Sequence, residues 1–393
     1  MNFFSGNKEK SKLFLVFDLG SSSVGGALFE IESSGTPKIL MFLREPIVLQ
    51  ENMNIDSFLG LTMKSLEVVA DKILRSSLGA PAKIFCVLSA PWHVSQTRVI
   101  KLKKDEPFVF TEKLADELTQ KEIAVFEQEY LSGYKNGENS IRSIELKNIR
   151  TMLNGYEMPN PINQKTKEVE MTIFISMSPE QILKKIEDTI GKSFHVKEIK
   201  FSSRAMAAFA VVRDMYMGQE NFLMIDIGGE ISDIFMVKKS ILRESISFPI
   251  GLNFFIRGVA NELKCSLAEA KSLISLFKDE HATAQVASNV GPIIDKLKVE
   301  WLNKFQESLV ALSSDLSVPD IIYLAIDKDL ANFFTQIIQS EQFSQYTLTH
   351  SKFQITFLDV VLFHKFATFA GDAVPDPGLI IDTVYINRFL AKI

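Results

Sequence analysis

The stretch that decides the fold lies near the start of the chain and reads VFDLGSSSVGGALFE, from Val16 to Glu30. An apolar, β-branched run ends at Asp18, a turn passes through Gly20 and three serines, and an apolar run resumes at Val24. This pattern predicts two antiparallel strands joined by a tight turn. Glycine, serine and aspartate are also ordinary turn residues, so one such hairpin alone does not establish a binding site.

The same pattern returns in the second half of the chain, where the sequence reads NFLMIDIGGEISDIFMV. A hydrophobic strand ends at Asp226, Gly228 and Gly229 form a turn, and Ser232 precedes another apolar strand. Two matched acid–glycine hairpins indicate an internal duplication. The sequence therefore predicts two related α/β halves, each opened by such a hairpin.

The residue types in these hairpins suit phosphate binding. A glycine–serine turn presents several backbone N–H groups to one point, and the hydroxyls of Ser21, Ser22 and Ser23 add further donors. An acid beside a phosphate is repulsive unless a cation lies between them, so we expect Asp18 and Asp226 to hold Mg²⁺ through its water ligands. Two facing hairpins would then enclose the β- and γ-phosphates of a nucleotide.

Bulk composition sets the wider limits. A chain of 393 residues is too long for a single core, which favours about two to four lobes. A net charge of −5 argues against a nucleic-acid partner. Cys86 and Cys265 lie far apart without a CxxC pattern, so neither a disulfide framework nor a zinc site is expected, in keeping with a reducing cytoplasm. No stretch reaches the ~18 uncharged apolar residues of a membrane-spanning helix.

The predicted elements also change character along the chain. From Thr97 to Thr172, charged helical segments and short strands meet at a turn at Asn154-Gly155, which indicates a small inserted α+β module. The predicted units are a first lobe at 12–85, an inserted subdomain at 86–195, a connection in the first lobe at 196–215, a second lobe at 216–355, and a C-terminal return to the first lobe at 356–393.

Several quoted segments resemble a known superfamily. FDLGSSSVGGALFE and IDIGGEISDIFMV resemble the two phosphate hairpins shared by actin, sugar kinases and heat-shock chaperone ATPases. Within that superfamily the chain is most similar to the FtsA family of bacterial cell division and the PilM family of type IV pili. KIFCVLSAPWHVSQTRVIKL resembles the beginning of their inserted subdomain, and DPGLIIDTVYINRFL resembles their closing helix. The resemblance implies an α/β, two-lobed actin-like ATPase fold, a duplicated ribonuclease H-like fold, with an inserted small α+β subdomain.

The resemblance also implies a nucleotide site with ATP and Mg²⁺ as cofactors. Glu269 and Lys271 correspond to a ribose-contacting Glu and Lys of the superfamily, although they stand one residue closer together here. The implied nucleotide-binding residues are Asp18, Gly20, Ser21, Ser22, Ser23, Asp226, Gly228, Gly229, Ser232, Glu269 and Lys271, with Asp18 and Asp226 holding the metal through water.

Three departures from the superfamily pattern bear on activity. Glu230 stands where a further glycine is usual, and we expect its carboxylate to lie close to the phosphates. Residues 325–329 replace the glycine run of the adenine-binding segment, and Ser203-Arg204 replaces an acid that orients water. We therefore expect ATP hydrolysis to be slow or absent, and both ATP binding and enzymatic activity stay open.

The function implied by the resemblance is an actin-fold scaffold that binds ATP weakly or structurally and recruits membrane-associated protein partners in cell division. The alternative is a PilM-like cytoplasmic component of type IV pilus assembly. A sugar or metabolite kinase of the same fold is a third reading, although nothing between Thr97 and Phe201 supplies a clear catalytic acid. The implied partners are proteins at the membrane, and self-association into dimers or filaments is also open. The implied location is the cytoplasm, or a peripheral position on the inner face of the cell membrane. We expect the inserted subdomain to make these contacts.

Overall fold

The fold is given by a computed structural model, which describes residues 12–132, 140–195, 198–278, 281–313, 317–340, 352–371 and 373–391. Over these ranges the chain forms three β-sheets flanked by α-helices. In the same ranges no helix combines the length and the apolar character needed to cross a membrane. This arrangement confirms the mixed α/β class predicted from the sequence.

The first lobe starts with the predicted hairpin and a covering helix. Its opening elements are β1 (Leu13–Leu19), β2 (Ser23–Ile31), β3 (Pro37–Pro46), α1 (Ile55–Arg75) and β4 (Lys83–Leu88). Asn54 caps α1 because its side chain accepts a hydrogen bond from the Ser57 N–H. The apolar face of α1, which includes Leu66, Val69 and Ile73, packs on the sheet because these residues recur at helical spacing.

An inserted module follows β4, and its strands are much longer than the sequence pattern predicts. It contains β5 (Val94–Phe110), α2 (Glu112–Ser132), β6 (Ile141–Leu153), β7 (Tyr156–Glu157) and β8 (Gln164–Pro179), and leads into α3 (Glu180–Ser193). The strands pair antiparallel in the order β5-β8-β6-β7, and residues of α2 join the apolar cluster on one face. The turn between β6 and β7 is at Asn154-Gly155, where both residues adopt positive φ angles of 49° and 83°.

The chain then returns to the first lobe through β9 (Ile199–Ser203) and α4 (Arg204–Met215). Strand β9 pairs parallel with β4, and α3 packs on α1 in the first-lobe core. In the described residues the first-lobe sheet has the order β3-β2-β1-β4-β9, with the short strand β15 (Thr368–Phe369) beside β3. The module is therefore inserted between two neighbouring parallel strands of one sheet.

The second lobe repeats this layout. Its elements are β10 (Phe222–Ile227), β11 (Ser232–Lys238), β12 (Ile241–Phe248), α5 (Leu252–Leu263), α6 (Leu267–Lys278), α7 (Ala284–Leu312), β13 (Ile321–Ala325), α8 (Lys328–Ser340) and β14 (Gln354–Phe357). Over the described ranges its sheet order is β12-β11-β10-β13-β14, the same as β3-β2-β1-β4-β9 in the first lobe. Both sheets open with an antiparallel hairpin and continue with two parallel strands. The duplication predicted from the two hairpins is thus present in the topology.

The end of the described chain closes the molecule with β15 (Thr368–Phe369) and α9 (Pro377–Phe389). Asp376 caps α9 by accepting a hydrogen bond from the Leu379 N–H, and Pro377 occupies the first helical turn. Helices α4 and α9 are buried on nearly all sides, in one apolar cluster with residues from both sheets, such as Val16 and Met224. The two lobes therefore share a core, and the hairpin turns lie at its edge.

The inserted module is tied to both lobes. Glu145 on β6 is buried and accepts hydrogen bonds from the Ser202 hydroxyl at 2.9 Å, from the Ser203 N–H and hydroxyl at 3.0 and 2.8 Å, and from the Tyr385 hydroxyl. On the other side, the Thr97 hydroxyl donates to the Leu242 carbonyl of the second lobe at 2.8 Å. These contacts make the module part of the interlobe structure.

Candidate functional site

The two hairpin turns face one another across the lobes and touch. The backbone N–H of Glu230 donates a hydrogen bond to the Ser21 hydroxyl at 3.1 Å. A Cβ atom built at Gly229 would lie 2.7 Å from the Ser21 carbonyl oxygen and 2.8 Å from the Ser22 Cα. Only glycine fits at such a distance from another backbone, so Gly229 allows the second turn to rest directly on the first.

The first hairpin acid, Asp18, is neutralised from within the chain. Arg44 on β3 places Nη2 2.9 Å from Asp18 Oδ2 and donates from Nη1 to the Ser23 hydroxyl at 3.0 Å. The same guanidinium makes a two-pronged contact with Asp376, the N-cap of α9, through Nε at 2.5 Å and Nη2 at 3.0 Å. Burial disfavours the charged guanidinium, but Asp376 and Asp18 outweigh it and raise the pKa of Arg44 well above its ordinary value.

The second hairpin acid, Asp226, is neutralised in the same way by Arg204, the first residue of α4. Arg204 Nε lies 3.0 Å from Asp226 Oδ2, and Nη1 lies 2.9 Å from Asp382 Oδ1 and 3.0 Å from the Gly378 carbonyl oxygen. Arg204 and Asp382 have side-chain exposures of 7% and 0%. Burial raises the pKa of Asp382 to about 8, although the charge of Arg204 opposes that shift.

A cleft of about 240 Å³ lies beside these ion pairs. Among the described residues its charged lining is strongly acidic, and consists of Asp18, Asp226, Asp233, Asp327, Asp359 and Asp376 against Arg44, Arg204 and Lys328. A triphosphate carries several negative charges, so its phosphates would meet an excess of carboxylates here. The charge of this cleft does not favour a nucleotide.

The residues present do not fit Mg²⁺ and the phosphates of ATP. Mg²⁺ needs free carboxylate oxygens and retained water ligands, whereas Asp18 and Asp226 each already contact a guanidinium. The contact between Gly229 and Ser21 also closes the space in which phosphates would lie between the turns. Across the described ranges, no group of three or more His, Cys, Asp or Glu side chains is arranged to hold a metal ion.

Glu230 requires a correction, because we expected its carboxylate beside the phosphates. It points away from the cleft and pairs with Arg257 through two contacts of 2.6 and 2.7 Å, while Asn253 donates to it at 2.7 Å. Arg257 in turn donates from Nε to the Gln50 carbonyl of the first lobe at 2.8 Å. Glu230 thus orients an arginine that joins the lobes.

The remaining sequence-predicted residues divide between the cleft and its surroundings. Those that line the cleft are Asp18, Gly20, Ser21, Ser22, Ser23, Asp226 and Gly228. Ser232 does not line it, because this buried hydroxyl donates to the Ile250 carbonyl at 2.7 Å and accepts from Trp301 Nε1. Lys271 lines a neighbouring pocket of about 620 Å³, on which Asp327 also borders, whereas Glu269 is exposed and lines neither space.

Most of the partners that complete this site could not be recognised from the sequence. Arg44 belongs to no motif quoted above, and Arg204 was noted only as the replacement of an acid. Asp376 and Asp382 lie in the segment quoted for the closing helix, but they were not expected in the site. Asp376 did carry a signal, since an Asp before Pro-Gly at the start of an apolar helix is typical of an N-cap. Trp92 anchors the loop after β4 to the first hairpin, because its Nε1 donates to the Gly20 carbonyl at 3.2 Å.

A second polar space of about 130 Å³ lies between the start of the inserted module and the second lobe. His93, Asp233 and Ser247 line it, and the Ser247 hydroxyl donates to the Asp233 carboxyl. Burial lowers the pKa of His93 to about 4 and raises the pKa of Asp233 to about 7. Both groups are thus biased towards their neutral forms by burial.

Fold and site together define a protein with the two-lobed actin-like ATPase fold, whose hairpin acids are paired with arginines. Among solved structures, the chain is similar to PilM in the PilM–PilN type IV pilus biogenesis complex, with 13% identity, coverage of 95% of this chain and 96% of that one, and a TM-score of 0.59. A second similar structure is a Bacteroides thetaiotaomicron protein with an actin-like ATPase fold and unknown function, with 9% identity, coverage of 98% of each chain and a TM-score of 0.41. A third is EutJ from Carboxydothermus hydrogenoformans, with 12% identity, coverage of 95% of this chain and 89% of that one, and a TM-score of 0.42. No family model and no curated protein sequence matches the chain.

Proposed function

We propose that this chain is an actin-fold scaffold of the PilM kind, which recruits a membrane-associated protein partner and does not depend on ATP turnover. The observation that carries the proposal is the pairing of both hairpin acids with arginines, Asp18 with Arg44 and Asp226 with Arg204. Phosphoryl transfer relies on metal ions and positioned groups that neutralise developing charge. A cleft whose hairpin acids are already held in ion pairs within the chain suits a structural role better than a catalytic one.

The choice of a pilus-type partner rests on the structural likeness. The similarity to PilM extends over nearly the whole of both chains, and that PilM is described in a complex with PilN. We therefore place a PilN-type protein ahead of a cell-division partner, which reverses the order in which the sequence resemblance put them. Peripheral location at the inner face of the cell membrane is part of this proposal, and ATP, where it binds at all, would be a weak or structural ligand.

The inserted module is the surface that we propose for partner contacts. It lies away from the cleft and exposes apolar side chains on different strands, with Tyr156 76% exposed, Val109 49% and Val99 45%. Exposed aromatic and aliphatic side chains are typical anchors of protein interfaces. Deleting the module is a poor test, because Glu145 and Thr97 tie it to both lobes. Point substitutions on its surface are therefore preferable.

The test is binding of the purified chain to the PilN-type protein encoded in the same genome, measured by isothermal titration calorimetry without nucleotide. We expect saturable binding by the wild type and at least tenfold weaker binding by a Tyr156→Ser/Val109→Ser variant. Met217→Ser is the matched control, because Met217 is 88% exposed but lies outside the module. Binding to the tubulin-like division protein instead would support the division alternative, and binding that strictly requires Mg-ATP would contradict the proposal.

A further inference from the structure

Arg204 stands at the point where the acid of the second hairpin, the closing helix and the connection between the lobes meet. It touches Asp226 on β10 and both Asp382 and the Gly378 carbonyl on α9, and it opens α4 itself. A single guanidinium therefore joins three elements through three charge-assisted or polar contacts. This is a cationic role of the kind that a bound metal ion fills when it bridges carboxylates from separate elements.

Three carboxyl groups act on Arg204. Asp226 and Asp382 contact it directly, and the charge of Asp18 also acts on it. One carboxylate oxygen, Oδ2 of the fully buried Asp382, has no hydrogen-bond partner among the described residues. Burial raises the pKa of Asp382 and so favours its protonated form, whereas the contact of Arg204 with Oδ1 favours the carboxylate. Arg204 is therefore the cation that holds these two acids side by side.

Arg44 supplies the equivalent charge for the first hairpin. It contacts Asp18 and Asp376, so both hairpin acids are linked to the start of α9 by an arginine. The contact between Gly229 and Ser21 shows that the turns approach one another without any group between them. The positive charges that neutralise the hairpin acids where the lobes meet therefore belong to the chain itself.

We propose that Arg204 is a built-in cation that replaces a divalent metal ion between the second hairpin and α9, and that the carboxylates it contacts, Asp226 and Asp382, are a latent divalent-cation site. The wild-type protein then closes its lobes without metal. Removal of the guanidinium leaves Asp226 and Asp382 facing a space that a hydrated Mg²⁺ or Mn²⁺ enters, because such ions bind one or two carboxylates and keep several waters. The inference uses the same ion pairs as the scaffold role, but its test does not involve the partner protein.

The test compares the wild type, Arg204→Ala and Arg257→Ala in thermal unfolding, with EDTA, MgCl2 or MnCl2. We expect metal to leave the midpoint of thermal unfolding of the wild type unchanged. In EDTA the midpoint of Arg204→Ala should fall several degrees below that of the wild type, and Mg²⁺ or Mn²⁺ should restore at least half of that loss. Arg257→Ala is the matched control, because Arg257 also pairs with a buried acid, Glu230, but lies away from the cleft. It should lose stability without recovery.

Direct binding completes the test. Electron paramagnetic resonance of free Mn²⁺ should report one bound ion in Arg204→Ala and none in the wild type. Arg204→Gln, which keeps more of the side-chain volume, serves in the same assays if the alanine variant does not fold. A folded variant that binds no Mn²⁺ and gains no stability from metal would overturn the proposal, and so would a wild type that binds Mn²⁺ at the same level. Neither result would alter the partner-binding test of the scaffold role.

Discussion

Three arginines neutralise the acids that the two hairpin turns contribute, and each comes from a different element. Arg44 on β3 pairs with Asp18, Arg204 on α4 with Asp226, and Arg257 on α5 with Glu230. Arginine suits these positions because its planar guanidinium holds two carboxylates at once and stays charged when buried. The behaviour of the cleft is therefore set by side chains that sequence motifs do not mark.

Asp233 gives a prediction on pH dependence. Its carboxyl lies opposite Asp226 in the β10–β11 pair, and burial raises its pKa from 3.8 to about 7, while Ser247 and Arg204 oppose that shift. Between pH 3.8 and about pH 7, Asp233 is therefore protonated in the folded protein and ionised in the unfolded chain. Unfolding releases that proton, so the stability associated with Asp233 is full below pH 3.8 and is lost as pH rises towards about 7.

Asp233→Asn removes this titration and keeps the oxygen to which Ser247 donates. One pKa unit corresponds to about 1.4 kcal/mol, and the two pKa values differ over about two units of this pH range. We therefore expect the free energy of unfolding of the variant, relative to wild type, to rise by roughly 3 kcal/mol between pH 5 and pH 8. Urea unfolding at the two pH values measures the difference, with wild type as the reference for every other titrating group. A difference that is independent of pH would contradict this assignment.

At the scale of elements, the contact between the two hairpins depends on a glycine. A Cβ at Gly229 meets the backbone of Ser21 and Ser22, which cannot move aside like the end of a side chain. We expect Gly229→Ala to lower the free energy of unfolding by about 1–3 kcal/mol, as overpacking does in protein cores. Chemical denaturation measures this loss.

Gly60 provides the opposing control for that measurement. It is exposed within α1, and a Cβ there would meet nothing within 4 Å. Gly60→Ala should raise the free energy of unfolding by up to about 1 kcal/mol, because alanine has the higher helix propensity. If Gly229→Ala proved neutral while Gly60→Ala stabilised the protein as expected, the hairpins would not be in contact in solution.

The order of elements was largely predictable, and the reason is local. The hairpin β1–β2, helix α1 and strand β4 follow from residue patterns within a few positions. The long strands β5 and β8 were not, because charged residues on the exposed edges hide the alternation that marks a strand. The limits proposed for the domains stay a prediction.

At the scale of the whole molecule, the duplication sets the fold and the pairing of distant residues sets the site. Two sheets of one topology share a core through α4 and α9, as the repeated hairpin implies. The ion pair between Arg44 and Asp376 joins residues 332 positions apart, and Arg204 and Asp382 are 178 apart. Nothing local in one sequence reports such pairs, so the sequence predicted the hairpins and their acids but not the arginines that pair with them.

The central claim is that the interlobe site is closed by the chain itself, without metal or nucleotide. Hydrogen–deuterium exchange of the wild-type protein tests it most directly, followed in peptides that cover the two hairpins, residues 14–30 and 221–238. Amides in stable, closed structure exchange slowly, and a ligand that orders a site slows them further. The account predicts strong protection of both hairpins in EDTA and the same protection in Mg-ATP. Rapid exchange in EDTA that becomes slow only with Mg-ATP would contradict it.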